Sequence, residues 1–408
     1  PQEKKELAVN VSGLKAKVGT EYFVNFSVTT LESEPLVPKG YEIAHEQFRL
    51  PIDPASRSFS VQGPALQCGE NGNLLSVQSS RVAFVFDKST GLVTSYKVKG
   101  TEYFHEGFGI QPNFWRAPND NDYGSQMPKC LQIWKQSSKN FNVVDASLTM
   151  DGKDAVLKVS YLLAAGNLYI ATYRIHPSGV VKANYTFTST EMEAAKTEAS
   201  EATLMATFTP GNEAIRKESS KLVVPRIGVR FRLPANMNQV TYFGRGPEEN
   251  YIDRNNGTLV GLYKNTADAM YFPYVRPQEN GHHTDTRWLT LSRKGGKGLT
   301  IYADKTIGFN ALRNSIEDFD GEEATHRDYQ WQNRNEEERK HDVATARNIK
   351  PRQTHINDIT PRNFVEVCID MKQMGVGGYD SWGAIPDPQY LIPANQEYKW
   401  GFTIVPQL

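Results

Sequence analysis

General acid/base chemistry needs carboxylates, histidines or both within reach of one reacting atom. A few places in this 408-residue chain bring such groups together. Glu248 and Glu249 are adjacent. In a strand they would point to opposite faces, so they pair as acid and base only if a loop twists them together. Glu279 lies just before His282 and His283, which suggests a histidine acid beside a glutamate base. The two histidines lack a third ligand at metal-binding spacing. Asn119 to Asp122 offers hard oxygen donors for a cation such as calcium or sodium, but not at the spacing of a calcium loop. Cys68, Cys130 and Cys368 are far apart, odd in number and free of CxxC spacing, so they read as buried free thiols.

Composition narrows the classes of partner. Lys+Arg and Asp+Glu balance at 46 each, which leaves no basic stripe to follow a phosphate backbone, so nucleic acid is not expected. No apolar run nears the roughly 20 residues that span a bilayer as a helix, and no membrane partner is expected. The sequons at Asn10, Asn25, Asn184 and Asn256 read as accidents of a bacterial sequence.

Any reactive group must be positioned by strands, because most of the chain alternates with period two between turn residues. Val82–Asp87 and Leu92–Val98 flank a four-residue loop ending in Gly91 and predict a hairpin. Val156–Leu162, Leu168–Ile175 and Val180–Thr188 continue a meander, followed by Ile227–Leu233, Gln239–Phe243, Trp288–Ser292 and Leu299–Ala303. Leu7–Leu14 and Tyr22–Thr30 carry the same pattern. Such spacing without helical periods predicts an all-β antiparallel sandwich or barrel. Glu317–Arg347 is dense in charge and predicts a surface helix or a solvated excursion. The prolines and glycines between Pro54 and Gly72 mark a boundary. Residues 1–53 offer about three strands, too few for a sandwich. They are expected to be the tail of a domain whose earlier strands are missing, and the chain, starting at Pro1, reads as a piece of a longer one.

Four clusters combine glycine, proline, polar groups and aromatics. They are Phe114-Trp-Arg-Ala-Pro-Asn-Asp-Asn-Asp-Tyr-Gly124, Tyr242-Phe-Gly-Arg-Gly-Pro-Glu-Glu-Asn-Tyr-Ile-Asp-Arg254, Tyr274-Val-Arg-Pro-Gln-Glu-Asn-Gly281 and Gly375-Val-Gly-Gly-Tyr-Asp-Ser-Trp382. Glycine permits close backbone approach, and Asn and Asp bond their own backbone in turns. Arg116 with Asp120 or Asp122, and Arg245 with Glu248 or Glu249, are the expected ion pairs.

In this order and spacing, the four clusters resemble the terminal β domain of glycoside hydrolase family 2 β-galactosidases. Gly19-Thr-Glu-Tyr-Phe-Val-Asn25 and Pro38-Lys-Gly-Tyr-Glu-Ile-Ala-His-Glu-Gln-Phe48 resemble the last strands of the immunoglobulin-like domain before it. The resemblance implies an immunoglobulin-like remnant at 1–53, a linker at 54–68 and, at 69–408, a large antiparallel supersandwich similar to galactose mutarotase. It also implies a C-terminal part of an enzyme that hydrolyses terminal β-galactosides with retention. That chemistry takes two carboxyls about 5–5.5 Å apart. In the family these carboxyls and the magnesium ligands sit on a (β/α)₈ barrel, and nothing here reads as eight βα units. The resemblance therefore assigns this chain no catalytic or metal residue. It assigns Trp382 to contact the sugar, and an indole face suits the C–H face of a pyranose. Asp380 and Ser381 would shape the loop. The implied partners are a galactoside, the remaining domains of the parent enzyme and further copies in a homo-oligomer. Two alternatives stay open: a stand-alone carbohydrate-binding or assembly module, and an aldose 1-epimerase using Glu279 with His282 or His283.

Overall fold

The computed structural model describes residues 4–6, 8–15, 17, 20–52, 57–189, 222–320, 355–380 and 383–408. The chain divides into two compact units, Pro1–Ser60 and Val61–Leu408.

In the first unit, Phe23–Thr29 pairs antiparallel with Glu42–Arg49, and Phe23 lies opposite Arg49. Phe26 and Phe48 meet edge to face at 5.9 Å, a cross-strand aromatic pair of the kind that fixes register. The strand expected at Tyr22–Thr30 is thus present. The one expected at Leu7–Leu14 is not formed among its described residues, which are irregular around a turn at Ser12 and Gly13. Its alternating pattern is overridden locally. The Asn10 side chain accepts from the backbone N–H and the hydroxyl of Ser12 at 3.0 and 2.7 Å, a turn that competes with strand pairing.

The second unit packs two sheets. Five strands form a meander in sequence order: Gln67–Asn71, Leu74–Gln78, Val82–Asp87, Leu92–Val98 and Thr101–Glu102. Twelve strands form the large sheet. Its longest strand, Gly298–Leu312, pairs along its first half with Tyr398–Gln407 and along its second half with Phe364–Gln373. One strand thus belongs to two neighbourhoods, and the sheet curls at that point. From Tyr398–Gln407 the sheet runs through Val181–Ser189, Asn167–Ile175 and Asp154–Leu162 to Asn142–Asp151. Strand Arg226–Pro234 pairs with Phe364–Gln373 and with Gln111–Asn113.

The core lies between the sheets because alternate residues of strands such as Val82–Asp87 and Asn167–Ile175 face it. Phe84 and Phe86 from the meander are 1% and 0% exposed, as are Tyr173 and Tyr169 from the large sheet. Phe84 meets Tyr173 at 5.9 Å, and the Tyr161 hydroxyl donates to the Gly91 carbonyl at 3.0 Å. Such hydroxyls let large aromatics be buried with a partner. The predicted hairpin and meander strands are all present. Three short helices were not expected from the sequence: Asp120–Gly124 ends the first cluster, and Met127–Cys130 and Gln132–Ser137 follow it.

Two further expectations need amendment. Cys130 and Cys368 are buried, but Cys68 is exposed, because it lies on Gln67–Asn71, whose residues are all exposed. Most of the charged run at 317–347 lies outside the described residues. Its start is a single helical turn, Ile316–Phe319, where Glu317 pairs with Arg230 at 2.8 Å.

Candidate functional site

Across more than 260 residues of chain, the first two clusters bond the backbone at Met374, Val376 and Gly377, and the third braces the first. The first supplies a rigid foot. Asn119 caps helix Asp120–Gly124, accepting from the Asp122 N–H at 2.8 Å, while Asp122 accepts from the Asn119 N–H at 3.0 Å. This reciprocal arrangement satisfies donors that a helix start leaves open. The other Asp122 oxygen takes Arg116 at 2.8 Å, one of the two partners expected for that arginine. Arg116 is fully buried and also donates to the Met374 carbonyl at 2.9 Å. Asn119 donates to the Val376 carbonyl at 3.0 Å.

The second cluster supplies the other support. Asp253 accepts from the Gly377 N–H at 2.8 Å. Its carboxylate also fills the space beside Gly375, where an added Cβ would lie 2.5 Å from Oδ2. Gly377 has φ +66° and lies so close to the returning chain that a Cβ would sit 2.5 Å from the Ala384 carbonyl oxygen. Only glycine meets both demands. Asp380 closes the arch by accepting from the Ala384 N–H at 3.0 Å.

The third cluster braces the first two. Arg276 pairs with Asp120 and lies 3.7 Å over the Tyr123 ring. Glu249 accepts from the Tyr274 hydroxyl, from Arg254 at 2.9 Å and from the Gly281 N–H at 2.6 Å. Arg245 does not pair with Glu248 or Glu249 as expected. It binds Asp285 at 2.6 Å and the carbonyls of Asn255 and Thr258 at 3.1 and 2.7 Å, because those groups face its strand from the neighbouring one and from the following loop.

Trp382 and Ser381 lie outside the described residues. On the near side of them, Tyr379 and Asp380 are exposed, with Tyr379 at 75%. The pinned backbone therefore ends in an outward-facing segment on that side.

The acid/base candidates lie elsewhere and are inaccessible. Glu279, His282 and His283 are all buried. Glu279 takes Arg226 at 3.1 Å and Asn310 at 2.9 Å through one oxygen. His282 Nδ1 sits 2.9 Å from the Asn310 amide oxygen, and its ring stacks on Tyr251 at 5.5 Å. Its other edge fills the space beside Gly308, where a Cβ would come within 2.6 Å of the ring. Burial first, then the charge of Arg226, lowers the His282 pKa to about 3. Burial lowers that of His283 to about 4, and its ring nitrogens face the carbonyls of Gly281 and Pro247, each at 3.2 Å. The cavity beside Arg226 and Glu279 measures about 20 Å³, room for a water and not for a sugar. Glu279 and His282 thus belong to a packed polar core with no sugar-sized space beside Glu279, and His283 has both ring nitrogens turned to carbonyls. Glu248 is exposed while Glu249 is committed to its partners, so they do not form an acid/base pair either. In Asn119 to Asp122, the Asn119 and Asp122 oxygens serve the capping box and Arg116, and one Asp120 oxygen takes Arg276. Among the described residues no group of three or more His, Cys, Asp or Glu could hold a metal.

A curled antiparallel supersandwich, with two loop clusters bonded to one glycine-rich arch and a third bracing them, defines the class of domain. The chain belongs to the β-galactosidase small chain family, whose model matches residues 78–404, and residues 1–51 match β-galactosidase domain 4. A β-galactosidase of Priestia megaterium is 30% identical over 95% of this chain and 32% of its own length. One from Streptococcus thermophilus is 26% identical over 92% of this chain and 31% of its own length. The chain thus spans about a third of the length of these curated relatives. Among solved structures, a galactose mutarotase related enzyme from Lactobacillus acidophilus aligns with TM-score 0.39 and 10% identity, over 82% of this chain and 97% of its own.

Trp382 and a pairing of Arg116 with Asp120 or Asp122 were legible in the sequence. Asp253, Asn119 and Arg276 were missed as supports of the arch. The signal available was that all three belong to the clusters that carry the family resemblance.

Proposed function

We propose that this chain is the non-cutting C-terminal part of a retaining β-galactosidase and forms one wall of its sugar pocket. The observation that carries this reading is that the first two family clusters bond the backbone at Met374, Val376 and Gly377, a few residues before Trp382. A loop held by a buried arginine and two acidic side chains, and left exposed at Tyr379, is built to present a residue, not to fill a core. Trp382 supplies a flat apolar face for the C–H side of a galactosyl ring, and its indole N–H supplies a donor.

The nucleophile and the acid/base carboxyl belong to the barrel of the parent enzyme, as does magnesium. Residues 1–53 complete an immunoglobulin-like domain with strands that precede them in the parent. Residues 69–408 are the terminal supersandwich, which also supports the homo-oligomer. The isolated chain is expected to leave a chromogenic β-galactoside intact over hours at micromolar concentration. Saturable turnover by the purified chain would overturn this assignment.

A further inference from the structure

Apart from the arch, one pocket combines sugar-binding chemistry in a single place. It measures about 220 Å³ and lies between the second cluster and the segment before the third, with Glu248, Asn265, Met270, Tyr271, Phe272 and His283 in its lining. That is about eleven times the cavity beside Arg226 and Glu279, room for a small solute and not just for a water.

Its polar groups divide into used and unused. Glu249 is spent on Tyr274, Arg254 and Gly281. His283 faces two carbonyls and acts as wall. Glu248 is exposed, with no hydrogen bond or ion pair to its carboxylate among the described residues. Asn265 accepts from the Thr266 N–H through its amide oxygen at 2.8 Å, which orients the amide and leaves its N–H₂ as donor. The Tyr271 hydroxyl is buried without a partner. Phe272 is 47% exposed and offers an apolar face.

We propose that this pocket is a second carbohydrate site, separate from the one served by Trp382, and that it takes a single neutral pyranose, free or at the end of a longer saccharide. Glu248 accepts from ring hydroxyls, Asn265 donates to one, and Phe272 covers a C–H face. An organic cation fits less well. A cation cage needs several aromatic faces around the charge, whereas one face of Tyr271 is already stacked on Phe319 at 6.0 Å and 9°.

The test is a titration of the full chain with galactose, glucose and tetramethylammonium, followed by ligand saturation-transfer and chain amide shifts in NMR. Saturable binding of either sugar is expected. Glu248→Ala or Asn265→Ala should weaken it about tenfold, as loss of a hydrogen bond to a bound group does, and Phe272→Ala should do likewise. Glu248 and Phe272 are exposed, so these variants should denature like the parent chain. Trp382→Ala should leave the sugar-induced shifts of the Glu248, Asn265 and Phe272 amides unchanged, which separates this site from the arch. Absence of saturable sugar binding, sugar binding indifferent to the three substitutions, or tetramethylammonium shifting these residues in place of sugar would each overturn the proposal.

Discussion

Asp253→Ala probes the arch at its least redundant support. The carboxylate receives the Gly377 N–H at 2.8 Å. A hydrogen bond to a charged acceptor is worth about 1.5–3 kcal/mol. Part of that is offset, because the second Asp253 oxygen is buried without a partner and its removal relieves a penalty. The lower end, about 1.5 kcal/mol, is therefore the expected net loss, close to tenfold in the equilibrium between closed and open arch. Hydrogen exchange reads this directly: the amides of 375–380 should exchange about tenfold faster in the alanine variant. Asp253→Asn keeps an oxygen that can accept from Gly377 and should fall between the two. Unchanged protection in Asp253→Ala, or an asparagine variant as fast as alanine, would show that Arg116 and Asn119 hold the arch without it.

Three further outcomes follow from the buried polar core. Arg226 is fully buried and faces Glu279 at 3.1 Å and Asp370 at 3.3 Å. Arg226→Met should thus cost about 3–5 kcal/mol by leaving two buried carboxyls uncompensated, seen as a lower urea midpoint at unchanged slope; a midpoint within error of the parent's would contradict that placement. His282 and His283 titrate in the folded chain at about 3 and about 4, below their ordinary value near 6.5. The unfolded chain therefore binds more protons as pH falls below about 6.5. Each histidine gives stability that is complete above that pH and lost toward the folded values, with a slope of up to about 1.4 kcal/mol per pH unit. His283→Gln should flatten urea-derived stability between about pH 4.5 and 6 by that amount, and an unaltered slope would argue against a buried neutral ring. Burial raises the Asp370 pKa to about 7 despite Arg226, which opposes the histidine trend over the same range. Asp370→Asn should accordingly steepen the rise of stability with pH, and a flatter curve would refute that sign.

Much of the fold was legible because period two is a direct consequence of one buried face. Val82–Asp87 and Asn167–Ile175 alternate buried and part-buried along their length, as read. Phe364–Gln373 was not legible, since it is buried without alternation from Val365 to Asp370 and carries Glu366 and Asp370, whose charges look out of place until Arg230, Arg232 and Arg226 arrive from another strand. The helices at 120–137 are four to six residues long, too short to show a helical period. At Leu7–Leu14 the pattern misled, because one asparagine side chain outweighs alternation where the backbone turns. The site followed the same logic. Arg116 and Asp122 are six residues apart and could be paired by eye. The bond from Arg116 to Met374 crosses 258 residues of chain and depends on the sheets having packed.

Trp382 is the residue on which the account turns. Its most direct test is kcat/KM of the full-length parent enzyme on a chromogenic β-galactoside, with Trp382→Ala against the unaltered enzyme. Loss of a buried aromatic face from the sugar is worth about 1.5–3 kcal/mol, so kcat/KM should fall about ten- to a hundredfold, with partial recovery in Trp382→Phe and no change in denaturation midpoint. An alanine variant that folds normally and keeps its full kcat/KM would contradict the claim that this chain reaches the substrate.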